Sequence, residues 1–119
     1  MAIKILDAAT ATGAGSSIFL SKPTSKHTLQ ADIVDANASL SVIVIEFQGS
    51  TDNRGVTDAN AKWFNLDSHT FTAAEITALT AMWHVVNKPI NRIRINVLTL
   101  TGVSAGDTVT VKYEQGTDS

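Results

Sequence analysis

Three histidines, eleven acidic residues and many hydroxyls are the groups in this chain able to do covalent or acid–base chemistry. A Ser, His and Asp nucleophilic set is assembled in space, so His27, His69 and His84 all qualify by type. No spacing singles one out. There is no Gly-x-Ser-x-Gly elbow, and His84 lies in "WHVVN", where alternation puts it on a sheet face. The histidines stand 42 and 15 positions apart, with neither His-x-His nor His-x-x-x-His spacing, so zinc is not indicated. Acidic residues are scattered singly through turns, which marks no pair for sugar hydrolysis. The absence of cysteine excludes a thiol nucleophile, thiolate metal ligands and disulfides. The expectation is a protein without catalytic residues, cofactor or metal.

Several stretches have the residue types of a binding site. Asp52, Asn53, Thr57, Asp58 and Asn60 form an oxygen-rich run of the kind that holds calcium, yet EF-hand spacing is missing and the same residues make ordinary loops. "GAGSS" at Gly13–Ser17 has two glycines of a dinucleotide fingerprint but lacks the third and the following helix, so it reads as a turn. Asn37-Ala38-Ser39 fits a glycosylation sequon, a short match frequent by chance. Trp63 and Trp83 suit either core filling or a sugar-stacking platform. Arg92 and Arg94, on the polar face of one strand beside Lys112 of another, suit a solvated face or a stripe turned toward a partner.

The elements that position these groups are strands, because apolar and polar residues alternate in short runs between turn formers. "AIKIL" and "SIFLS" flank the Gly-rich segment. "KHTLQADIVD" sends His27, Leu29, Ala31 and Ile33 one way; "LSVIVIEFQGS" sends Ile43, Ile45 and Phe47 inward and is apolar on both faces, as a central strand would be. "KWFNLDSHTF", "WHVVN", "INRIRINVLTL" and "TVTVKYE" complete the set, and the last two read as a hairpin across the turn at Thr101–Asp107. The period changes once: Thr72 followed by Glu75 is a capping box that predicts a short helix near residues 73–81. Seven or eight strands with regular turns predict an all-β antiparallel sandwich, Ig-like or jelly-roll-type. "QGSTDNRG" is then the exposed β-connection, and trimming Thr51–Ala59 to a tight turn is expected to spare folding.

At 119 residues the chain has the size of one domain, expected to span residues 1–119 with an N-terminal arm over about 1–15 and a frayed tail over about 115–119. Its 44% hydrophobic and 6% aromatic content indicates a core of small branched side chains. A net charge of -2 with no basic run argues against nucleic acid as a partner. No apolar span is long enough for a membrane helix, and "MAIKILDAAT" lacks a secretory pattern, so folding in a cytoplasm is expected.

The order "ATGAGSS", "VIVIEFQGSTDN", "KWFNL", "FTAAEI", "HVVNKPINRIRINVLTLTG" and "DTVTVKYE" resembles small virion structural proteins of tailed bacteriophages. The resemblance runs over roughly residues 10–114. It rests on Gly49, Ser50, Asp52, Trp63, Leu66, Pro89, Arg94, Asn96, Val97, Gly102, Val109 and Val111. It implies a non-enzymatic capsid decoration or cement protein, assembled into the virion in a bacterial cytoplasm, that binds the major capsid protein as a homo-oligomer. Ile3, Ile5, Asp52, Asn53, Arg54, Arg92 and Arg94 are the candidate partner-contacting residues, the first two through strand addition by the arm. The alternatives are a carbohydrate-binding module on a phage surface and a neck or tail component.

Overall fold

The computed structural model describes residues 3–116. Its strands are β1 (Ile3–Ala9), β2 (Gly13–Ala14), β3 (Ile18–Thr24), β4 (His27–Val34), β5 (Val42–Ser50), β6 (Phe64–Thr70), β7 (Thr80–Val85), β8 (Ile90–Thr101) and β9 (Thr108–Gln115), with helix α1 (Ala73–Ala78) between β6 and β7. One sheet has the order β1-β9-β4-β7. The other has β2-β8-β5-β6, with β3 also paired to β8, and all pairings are antiparallel. The two sheets pack face to face as the sandwich that the alternation predicts. The inward rows are Leu29, Ala31 and Ile33; Ile43, Ile45 and Phe47; Ile93, Ile95 and Val97; and Val109, Val111 and Tyr113, all buried. No helix among the described residues is long and apolar enough to cross a membrane.

Three expectations change in detail. First, β8 and β9 do not form a hairpin: β8 pairs with β5 while β9 pairs with β1 and β4, so the turn between them crosses from one sheet to the other. Each strand buries its apolar face by meeting the other across the core instead of side by side. The crossing needs Gly102, whose φ of 84° is left-handed and whose missing Cβ would collide with the Ser39 carbonyl.

Second, the helix stops at Ala78. Thr72 and Glu75 make the expected reciprocal capping box, but Leu79 turns left-handed at φ 65° and its carbonyl accepts from the Ile33 amide at 3.0 Å. From Thr80 onward Ala81, Trp83 and Val85 point into the core, so the two-residue period overrides the helical one.

Third, the N-terminal segment is not a free arm. β1 already pairs with β9 of its own chain through two register shifts that bury both Ile5 and Leu6. The Gly-rich stretch then crosses to the other sheet, with the Gly15 amide donating to the Ile95 carbonyl at 2.8 Å. A Cβ at Gly15 would meet the Ile5 carbonyl at 3.1 Å, so this glycine serves close approach, not hinge freedom. At the other terminus Gln115 belongs to β9 and the Gly116 amide bonds the Lys26 carbonyl at 2.8 Å; the rest of the expected tail, 117–119, lies outside the described residues.

Candidate functional site

The β5–β6 loop, residues 51–63, folds back over the outer face of the second sheet, and Arg92 of β8 is the post it wraps. Arg92 sits opposite Ser50 on one side and Phe19 on the other, so its side chain rises from the sheet under the loop. Its Nη1 donates to the carbonyls of Asp52 (3.3 Å) and Asn53 (3.0 Å), and its Nη2 to the Val56 carbonyl and the Asp58 carboxylate, both at 2.8 Å. The planar guanidinium suits this, because several fixed donors meet several fixed oxygens at once. Arg92 is only 2% exposed, and its Nε is buried without an acceptor among the described residues. It is therefore an internal strut and not the partner-facing residue expected from strand alternation.

Asp58 ties in a second segment. Its carboxylate accepts from the Ser17 hydroxyl at 2.5 Å and the Ser17 amide at 3.0 Å. These two bonds, with the Arg92 guanidinium, hold its carboxyl down at about 2. Asp52 is used in the same way: its carboxylate accepts from the Lys62 amide at 2.6 Å and from Ser50 at 3.3 Å. The oxygen-rich run thus directs its carboxylates at the chain's own donors, and among the described residues no group of three or more His, Cys, Asp or Glu side chains is arranged to hold a metal.

Around Arg92 the side chains alternate between cation and ring. Arg54 lies over Phe19 at 4.1 Å; Arg92 lies 4.8 Å from Phe19 and 5.3 Å from Trp63; Arg94 lies over Trp63 at 4.2 Å. The Trp63 indole N–H donates to the Asp58 carbonyl at 3.0 Å, which fixes the ring against the loop. Beyond Arg94 the outer face continues as a polar strip. Arg94 Nε donates to Gln48 at 2.7 Å, Gln48 to Glu46 at 3.3 Å, and Asn96 to the same Glu46 oxygen at 2.8 Å. A polar depression of about 340 Å³ lies beside this ladder between Phe19, Ser21, Asp52, Arg54 and Asn91.

Of the residues named from sequence, Asp52, Asn53, Arg54, Arg92 and Arg94 come together here. Asn53 accepts from the Gly55 amide at 3.0 Å, and Arg54 is exposed on Phe19. Ile3 and Ile5 lie apart in β1, Ile3 43% exposed and Ile5 buried. Phe19, Ser17 and Asp58 carry as much of the site as the arginines, yet sequence reasoning misses Phe19 and Ser17 and gives Asp58 a different role. Only Asp58 had a visible signal, as a member of the oxygen-rich run, and its partner Ser17 is 41 residues distant.

The histidines are built into the frame. His27 is buried: its Nε2 donates to the Lys88 carbonyl at 3.0 Å and its Nδ1 faces the Tyr113 hydroxyl at 2.6 Å. His69 stacks on Trp83, centroids 4.3 Å apart and planes 6° apart, with the Glu75 carboxylate 3.1 Å away. Partial burial pushes the Glu75 carboxyl up, but the Thr72 amide and His69 outweigh it and hold the group below its ordinary value. His84 is exposed beside Thr28 at 2.9 Å. Trp83 is buried and fills the side of the core.

Of the three arginines, Arg54 is exposed, Arg94 half-buried and Arg92 buried, so the outer face presents a polar strip flanked by cations. No protein-family model matches the chain, and no curated protein matches it in sequence. Among solved structures, the chain is similar to the crystal structure of the SPBc2 prophage-derived protein YomS. The two superpose with a TM-score of 0.52 at 18% identity, over 95% of this chain and 88% of the other. At that identity the likeness establishes a shared fold.

Proposed function

We propose that this chain is a non-enzymatic structural protein of a bacteriophage virion, and within that class a decoration or cement protein that binds the major capsid protein on the head lattice. The observation that carries the reading is the end-to-end match of the sandwich to a prophage-derived protein. The site supports adhesion over turnover, since the Asp52, Asp58 and Glu75 carboxylates and the His27 ring all hold loops or strands in place. Arg54, Arg94 and the polar strip beside them are the surface offered to the shell. Many modest contacts of this kind, repeated across joints between capsid subunits, resist internal pressure.

Mass spectrometry and cryo-microscopy of purified particles test the proposal. A copy number comparable to that of the major capsid protein, with density over the shell, is the expected result. A few copies at one vertex or along the tail would move the chain to a neck or tail role, and absence from the particle would overturn the virion reading. The carbohydrate-binding alternative has less support: Trp83 is buried, and the Arg94 guanidinium already lies over the Trp63 ring.

A further inference from the structure

The two sheets have four outer edges, and three of them are blunted in the ways natural edges usually are. β1 carries the exposed pair Lys4 and Asp7, two register shifts and Ala8 at φ 49°. On the β2–β3 edge, β3 contains Lys22 and Pro23 and loses register between Phe19 and Thr24. β6 is interrupted by a register shift opposite Phe47 and Gln48 and carries Asp67. β7 has none of these features. Its pairing to β4 runs unbroken from Thr80 to Val85, with no charge, proline or glycine in it, and no Asp, Glu, Lys or Arg stands between Glu75 and Lys88.

Its outward chemistry also differs. The Ile33 amide bonds the Leu79 carbonyl, so in an antiparallel ladder the odd-numbered residues 79–85 turn their backbone groups toward β4. Thr80, Met82 and His84 therefore aim their amides and carbonyls away from the sheet, and no described strand pairs there. The same residues place side chains on the outer face, where Met82 is 59% exposed and Val86, just past the strand, is 52% exposed.

We propose that this edge pairs with β7 of a second copy of the chain, antiparallel across a two-fold axis at Met82, joining two four-stranded sheets into one of eight. In that register Met82 meets its own copy and Thr80 meets His84, so each outward amide and carbonyl of these residues finds a partner. The edge is complementary to itself, as a two-fold pairing between copies requires. An uncharged strand laid against itself brings no like charges opposite each other, and Asp32 in the next strand is already paired with Lys112 at 3.1 Å. The pairing stands without the virion reading: a monomer leaves that reading intact, and absence from particles leaves the pairing intact.

Sedimentation velocity of the full chain at micromolar to submillimolar concentration, with Met82→Pro and Met82→Lys, tests it. Proline at 82 removes an outward donor and no bond to β4, so the fold should survive; lysine at this exposed position is the safer second variant. The expected result is a wild-type mass of twice 12.6 kDa falling to one chain in both variants, with unchanged circular dichroism. Wild type at one chain throughout, at three or more chains, or folded variants that remain dimeric would each overturn the proposal.

Discussion

Toward opposite ends of the sandwich, two buried charges of opposite sign hold the loops in place. At one end Arg92 gathers three carbonyls and a carboxylate from the 51–63 loop. At the other, Asp107 at the head of β9 accepts from the amides of Ala36 (2.7 Å) and Ser104 (2.9 Å) and from the hydroxyls of Ser39 and Ser104. Both residues are 2% exposed. The difference follows from what each end must hold. A long loop returning to its own sheet turns carbonyls inward and needs a cation. The β4–β5 and β8–β9 connections, which cross between sheets, turn amides inward and need an anion. The buried charge itself is a carboxylate only at the second end; at the first, the group that acid can reach is Asp58, whose side chain is 39% exposed.

Removing the cation should do the most damage. Arg92→Met strips the loop of four bonds and leaves its carbonyls without their donor, a loss of roughly 3 kcal/mol or more in denaturant unfolding. Trimming Thr51–Ala59 has the same logic from the other side: with the loop oxygens gone, a buried guanidinium is stranded. Folding should therefore not be spared, contrary to the expectation from sequence. Near-wild-type stability of either variant would mean that the loop is held by something other than Arg92.

Asp107→Asn is the matched change at the opposite end and should cost less than Arg92→Met: one oxygen still accepts, but the other is replaced by an NH2 group that faces an amide N–H and can no longer accept from it. An equal or larger cost than Arg92→Met would reverse the ranking of the two ends.

Acid should then separate the ends without mutation. The Ser104 amide first, then the Ala36 amide and the two hydroxyls, outweigh desolvation and hold the Asp107 carboxyl below its ordinary value. A folded pKa below the unfolded value of about 3.9 gives stability that is present above that pH and lost as pH falls through the folded value. Asp58, at about 2, adds a contribution of the same sign at the Arg92 end, reduced because its side chain is 39% exposed. Through these two carboxylates, stability should fall as pH drops below about 4. Asp107→Asn should flatten that fall, and Arg92→Met should lower the whole curve while keeping most of its slope.

The sandwich itself was legible because alternation survives in nearly every strand: the inward rows at 29–33, 43–47, 93–97 and 109–113 are the ones the period names. Thr72 and Glu75 likewise gave the helix start, since a capping box is local. What alternation does not encode is which strand lies beside which. β8 and β9 read as a hairpin from alternation, whereas the Gly102 turn carries the chain from one sheet to the other. The site was half legible for a related reason. Strand period puts Arg92 on the polar face correctly, but a polar face is solvent only if no loop returns to cover it. The Ser17–Asp58–Arg92 link joins three segments by contacts that have no sequence spacing.

The smallest effect should come from the outermost rung of the ladder. Arg54 is exposed, and its contact with Phe19 at 4.1 Å is a surface cation–π interaction worth about 0.5–1 kcal/mol. Arg54→Ala should therefore barely move global unfolding. Its local consequence is distinct, because Asn53 and Gly55 on either side keep their own bond and Arg92 still holds the Asn53 carbonyl. Amide exchange at Gly55 should stay close to wild type in Arg54→Ala and become fast in Arg92→Met. Fast exchange in both would mean that the loop is clamped from its exposed side, by Phe19 and Arg54 and not by the buried guanidinium.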